Sequence, residues 1–178
     1  MNIHKILKSA PKIGVFGSDG DHATVKVKRI ACEVGRLLAE RGAIVITGGG
    51  DGIMIEASRG ASESGGVVIA ISPWEYPVKA EANGHSTIVI PTGIGFARSQ
   101  ILTNTIDGAI LVGGGIGTLQ EATMTYWLRK PTVAITSSGG MAEKIAGTML
   151  DERKLPPILK AKDAQGAVKL LFEKIKKR

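Results

Sequence analysis

Two stretches of this chain run from β-branched residues through a cluster of glycines into a helical pattern, an order that suits the binding of an anion. Residues 44–57 read Ile-Val-Ile-Thr-Gly-Gly-Gly-Asp-Gly-Ile-Met-Ile-Glu-Ala, and residues 109–122 read Ala-Ile-Leu-Val-Gly-Gly-Gly-Ile-Gly-Thr-Leu-Gln-Glu-Ala. They align without a gap at an offset of 65, each with a Glu (Glu56, Glu121) at the same distance from its glycines. Glycine loses more backbone entropy on folding than other residues, so a bare connection explains two such turns poorly. Free N–H groups at the start of the following helix, with the positive end of its dipole, favour a phosphate. Gly48, Gly49 and Gly50 in the first turn, and Gly114, Gly115 and Gly117 in the second, are therefore the candidate phosphate-binding residues. Thr118 either gives a hydroxyl to a phosphate oxygen or caps its own helix. The competing reading of both turns is tight strand-to-helix packing.

Standard nucleotide signatures do not fit. No Gly-Lys pair occurs anywhere in the chain, which excludes a P-loop. A dinucleotide fingerprint would need Gly at positions 53 and 118, which hold Ile53 and Thr118. The first apolar run ends Phe16-Gly17-Ser18-Asp19-Gly20, and Gly17 and Ser18 form a third small turn. In open α/β sheets, ligands bind along the carboxyl edge of the strands, and three turns meeting there suit a mononucleotide-sized ligand.

The elements that must position these turns are short Val/Ile-rich runs alternating with helical patterns, the mark of βαβ units around a parallel sheet. Strands are predicted at 13–16, 43–47, 67–71, 87–90, 108–112, 132–136 and 158–159. They lack polar alternation and read as covered on both faces. Val27, Ile30, Ala31, Val34, Leu37 and Leu38 define one face of a helix that Gly42 ends. Further helices are predicted at about 52–64, 96–106, 118–129, 141–150 and 164–177. Residues 73–84 read as a surface loop, either a lid or a plain connector. The expectation is a single Rossmann-like nucleotide-binding domain over 1–178: an α/β three-layer sandwich with a mostly parallel, doubly wound sheet of about seven strands.

Composition narrows the function further. The net charge is +7, and the nine Lys/Arg against two Asp/Glu from Arg153 to Arg178 carry all of it. That basic end reads as a solvated helix terminus. With two Trp, two Tyr and three Phe there is little to stack on bases, so nucleic acid is not the expected partner. No apolar run reaches the roughly 18 residues of a membrane span, and Met1 to Lys12 has no signal-peptide core. The single Cys, Cys32, excludes an internal disulfide. His4, His22 and His85 lack ligand spacing, so no metal is expected. The cytoplasm is the expected compartment.

The segment Ile94-Gly-Phe-Ala-Arg98-Ser-Gln-Ile-Leu-Thr-Asn-Thr-Ile-Asp107, continuing to Gly113-Gly-Gly-Ile-Gly-Thr118-Leu-Gln-Glu121, resembles the superfamily of Lonely Guy (LOG) phosphoribohydrolases and molybdenum-cofactor carrier proteins. The LOG pattern is an Arg-Lys pair, an Asp nine residues after the Arg, then Pro-Gly-Gly-x-Gly-Thr-x-x-Glu. Arg98, Asp107, Gly114, Gly115, Gly117, Thr118 and Glu121 match in register, and the resemblance covers about residues 12–165. Ser99 stands where that family has its Lys, and Gly113 where it has its Pro. Both departures make the chain more similar to the cofactor-carrier branch.

The resemblance implies two functions on one site. The first is binding of a phosphate-bearing nucleotide or a molybdopterin-type ligand, with Arg98 on the phosphate and no cofactor required for catalysis. The alternative is hydrolysis of nucleoside 5′-monophosphates to a free base and ribose 5-phosphate, with Arg98 and Glu121 as catalytic residues. There, Glu121 would stabilise an oxocarbenium-like transition state or activate water. The resemblance also implies a homodimer or homotetramer, and the helix bearing Met124, Tyr126, Trp127 and Leu128 reads either as core or as its interface. Asp107 reads as a junction residue or as a partner for a ligand hydroxyl.

Overall fold

The computed structural model describes residues 9–74 and 84–176. Seven strands form one fully parallel sheet in the order β4-β3-β2-β1-β5-β6-β7. They are β1 (Lys12–Gly17), β2 (Ile44–Thr47), β3 (Val67–Ser72), β4 (Ile88–Pro91), β5 (Gly108–Val112), β6 (Thr132–Ile135) and β7 (Leu159–Ala161). The helices are α1 (Val25–Glu40), α2 (Ile53–Glu63), α3 (Arg98–Thr105), α4 (Ile116–Trp127), α5 (Gly140–Ile145) and α6 (Ala164–Ile175).

Two apolar cores, one on each face of the sheet, make this a three-layer α/β/α sandwich. Successive strand residues point to opposite faces. Ile13, Val15, Val45, Ile110 and Val112 therefore pack with Val27, Val34 and Leu38 of α1, Ile53 and Ala57 of α2, and Val168 and Leu171 of α6. Phe16, Ile44, Ile46, Ala109 and Leu111 pack instead with Leu102 of α3, Ala122 and Tyr126 of α4, and Ala142 and Ile145 of α5. Burying each such Val, Leu or Ile is worth about 1.5–3 kcal/mol, which is why the central strands tolerate no polar alternation. Thr24 caps α1, its hydroxyl accepting from Val27 N–H, and Gly42 follows the helix with φ at 72°.

The expected cover on both faces fails at the edges. In β4, Ile88 and Ile90 are exposed and Val89 is only partly buried, because no further strand or helix lies beyond the sheet margin among the described residues. The helix expected over 141–150 stops at Ile145. There Gly147 N–H donates to Ile158 O (2.7 Å) and Ile158 N–H to Thr148 O (2.9 Å), diverting the backbone into a pairing with the approach to β7. The helix expected from Phe96 begins as a 3-10 turn over Gly95–Ala97 and becomes α-helical at Arg98. Most of the loop expected over 73–84, and most of the signal-peptide reading, lie outside the described residues. Among the described residues no helix is long and apolar enough to cross a membrane.

The chain leaves β1 toward β2 on one side and enters β5 on the other. The carboxyl ends of β1 and β5 thus flank the point where the winding reverses, the place where open α/β sheets keep their ligands.

Candidate functional site

β5 is buried at all five positions and delivers its glycines to that reversal point. Gly113 and Gly114 have φ of 65° and 88°, a region closed to most side chains. Two serines hold the bend from either side: Gly114 N–H donates to Ser18 Oγ and Gly113 N–H to Ser138 Oγ, both at 2.8 Å. Gly17 is needed because β1 runs so close that a Cβ there would strike Val112 O. Gly17 and Ser18 therefore fix the second turn, and the Gly114 amide is engaged by Ser18.

Beyond this fastened bend the chain opens. Gly115 precedes α4 with no side-chain cap, leaving the first amides of the helix without intrahelical partners by position. A Cβ on Gly115 or on Gly117 would meet nothing within 4 Å. Thr118 is buried with its side chain packed beside Gly114; it lies inside the helix and is not its cap. These residues line a cleft of about 980 Å³ together with Gly17, Ser18, Gly48, Arg98 and Glu121.

Gly49 and Gly50 do not line that cleft. Gly49 N–H donates to Thr47 Oγ1 (3.4 Å), and Gly50 faces the Met54 side chain. Only Gly48 looks into the cleft, and the Arg98 guanidinium covers it. The two turns, alike in sequence, have different neighbours.

Arg98 and Glu121 are each 8% exposed, with Nη1 and Oε1 3.9 Å apart. Arg98 Nε and Nη1 are buried and make no hydrogen bond. Burial lowers the Arg98 pKa against the pull of Glu121, but the guanidinium stays a cation. Burial pushes the Glu121 carboxyl up to about 7, opposed by Arg98 and by a hydrogen bond with Ser99. In this geometry Glu121 exchanges a proton near neutrality, the range useful to a general acid or base.

A carboxyl with a raised folded pKa binds more protons folded than unfolded, so its contribution to stability is complete below the unfolded pKa and is lost as pH rises through the folded one. For Glu121 that window runs from 4.5 to about 7. The stability of Glu121→Gln relative to wild type should therefore climb across this window by up to about 3 kcal/mol and be flat on either side. Urea unfolding at several pH values measures it; parallel pH profiles for the two proteins would show that Glu121 does not titrate this way.

Sequence reasoning missed other lining residues. Thr136, Ser137, Ser138, Gly139 and Gly140 form a fourth turn after β6, and Gly140 packs so near that a Cβ would lie 2.7 Å from Gly114 O. The signal was there: Ser-Ser-Gly-Gly directly after a Val/Ile strand, on the same edge as the other turns. Asp19, His22 and Lys26 line the cleft from the β1 side, with His22 Nδ1 2.6 Å from Asp19 Oδ1. Phe96 and Ile116 also line it while 80% and 81% exposed. Asp107 lies at the opposite edge of the sheet, where its Oδ2 accepts from Lys12 N–H (2.8 Å); it is a junction residue. The α4 face is divided: Tyr126 is core and its hydroxyl reaches Asp151 (3.3 Å), whereas Trp127 is exposed beneath the Arg153 guanidinium (4.4 Å). No group of three or more His, Cys, Asp or Glu suited to a metal occurs among the described residues.

A parallel sheet with glycine turns gathered at its reversal point, a buried Arg and a Gly-Gly-x-Gly-Thr-x-x-Glu helix start define a Rossmann-like protein of the LOG superfamily. The chain belongs to the SLOG cluster4 family, whose model matches residues 10–168. Similar proteins include an uncharacterized protein of Archaeoglobus fulgidus, 41% identical over 111 residues that make up 62% of this chain and 70% of that one. Among solved structures, the Moco carrier protein of Chlamydomonas reinhardtii is similar at 32% identity and a TM-score of 0.82, covering 95% of this chain and 99% of that one. The molybdenum cofactor binding protein of Rippkaea orientalis is similar at 28% identity and a TM-score of 0.79, covering 93% and 98%.

Proposed function

We propose that this protein binds a small phosphate-bearing ligand, a nucleotide or a molybdopterin-type cofactor, with the phosphoryl group at the start of α4 and the rest of the molecule in the cleft. The observation that carries this is the empty space beside Gly115 and Gly117. Neither glycine is required there by a neighbour within the chain, yet side chains at these positions would project where an anion meets the uncapped amides of α4. Arg98 supports the same reading: its side chain lines the cleft, and its buried Nε and Nη1 have donors without acceptors. The volume of about 980 Å³ suits a nucleoside monophosphate or a pterin. Likeness to two molybdenum-cofactor proteins over nearly the whole chain favours a carrier over an enzyme.

The test is mass spectrometry of what co-purifies, followed by equilibrium dialysis with AMP and with molybdopterin. Retention of one of them without breakdown supports the carrier; binding of neither overturns the reading. Glu121 favours a second reading, since a carboxyl that titrates near 7 beside a phosphate site can serve a hydrolase. Release of ribose 5-phosphate from AMP, abolished in Glu121→Ala, would establish it.

The exposed Phe96 at the mouth gives the ring of the ligand a face to stack on, with Ile116 across the glycine turn. Phe96→Ala should weaken AMP binding by about tenfold, as base–aromatic stacking is worth roughly 1–3 kcal/mol. Ribose 5-phosphate should bind both proteins alike, and an equal loss for both ligands would contradict stacking. We also propose a homodimer or homotetramer, since Ile88 and Ile90 of β4, with Ile94 and Ile101, are apolar side chains left exposed. Light scattering after size exclusion reads the assembly directly.

A further inference from the structure

We propose that Gly48 is a positioning residue: the first glycine turn is the seat of the Arg98 guanidinium, and the cleft has one anion site instead of two. The inference rests on the reading of Arg98 as the ligand's partner and adds what holds that side chain in place. A Cβ on Gly48 would lie 2.6 Å from Arg98 Cζ and closer still to both Nη atoms. Any residue but glycine would therefore push the guanidinium off the turn. The rest of the turn faces elsewhere, Gly49 toward Thr47 Oγ1 and Gly50 toward Met54.

A seat without a side chain has a specific consequence. A carboxylate at this place would fix the guanidinium by spending its N–H donors. Here contact with a bare Cα holds the group, and Nε and Nη1 remain without hydrogen bonds. Glu121, at 3.9 Å from Nη1, is too far to take them. These donors are unspent, so a small shift of the guanidinium toward the cleft brings them to an arriving anion without displacing another acceptor. Occupation of the first turn by a cation also sets the ligand class. A second phosphoryl group on Gly48 would have to displace Arg98, so the site takes a monophosphate and gains nothing from a diphosphate.

The experiment combines NMR on the ligand-free protein with a double-mutant cycle. In wild type, nuclear Overhauser contacts between the Gly48 α-protons and the Arg98 guanidinium protons are expected, and their absence would overturn the seat whether or not any variant folds. Gly48→Ala should weaken AMP binding at least tenfold in the wild-type background and have no further effect in the Arg98→Lys background. Equal losses in both backgrounds would show that Gly48 acts independently of Arg98. ADP should bind no more tightly than AMP; tighter binding of ADP by tenfold or more would restore a second anion site. If wild type binds neither AMP nor inorganic phosphate, the ligand reading fails while the Overhauser contacts still decide the seat.

Discussion

Arg98→Met is expected to lower the affinity for AMP, or for molybdopterin if that is the ligand retained by wild type, by about a hundredfold or more while leaving the fold as stable or more so. The two effects have opposite signs for one reason. Buried Nε and Nη1 have given up water without gaining a partner, and each such group costs about 1–3 kcal/mol. Met has a similar reach, fills the space apolarly and removes that cost. The same donors, meeting a phosphate, form charge-assisted hydrogen bonds of about 1.5–3 kcal/mol each, which Met cannot make. Because Glu121 titrates near 7, the stability gain should be largest at pH 6, where the carboxyl is mostly neutral, and smaller at pH 8, where a buried carboxylate has lost its only close cation among the described residues. Urea unfolding at both pH values and calorimetric titration with the ligand measure the pair of effects. Unchanged affinity in Arg98→Met would remove Arg98 from the site.

An orphaned cation held at a cost to stability is a sign of function, and it also marks the limit of what the sequence disclosed. The Val/Ile runs and the 3.6-residue period of α1 are local signals, and among the described residues they located the seven strands and the six α-helices, with the C-terminal end of α5 the largest miss. β5 came out at 108–112, the range predicted, since its glycines and its buried run border it sharply. The exposed faces of β4 did not show, because a strand is an edge only by virtue of the pairing order of the whole sheet. The early end of α5 depends on Ile158, thirteen residues beyond the last helical position, and no local pattern announces that pairing.

At the site the same division holds. Glycine clusters at strand ends are visible in the sequence, and the turns after β1, β2, β5 and β6 gather at the carboxyl edge of the sheet. Their internal repeat, however, suggested one role for both turns. What separates them is long-range: Arg98 lies over Gly48, and Ser18 takes the amide of Gly114 across 96 positions. Identical glycines thus receive a side chain in one turn and border open space in the other. The first role needs the partner's coordinates to be recognised. The open start of the other turn is a local feature, which the glycines before the helix announce.

Gly117→Leu separates these roles most sharply, and it is the second variant with a large expected effect. Gly117 lies in the first turn of α4, its φ is not positive, and a Cβ there meets nothing within 4 Å. Replacing glycine by a good helix former at such a position should raise stability by about 0.5–1 kcal/mol, through a less flexible unfolded chain and better propensity. If Gly117 served only strand-to-helix packing, that gain would be the whole effect, or the side chain would clash and destabilise. If instead the space is held for a phosphoryl group, a four-carbon side chain occupies it, and ligand affinity should fall by about a hundredfold, the order expected when the charge-assisted contacts of one anion are lost. Gly117→Ala, with a single added methyl, should show the same rise in stability and a smaller loss of binding. Thermal unfolding and equilibrium dialysis on the three proteins give the comparison. Leu and Ala variants that bind the ligand as wild type does would mean that the uncapped start of α4 is not where the anion rests.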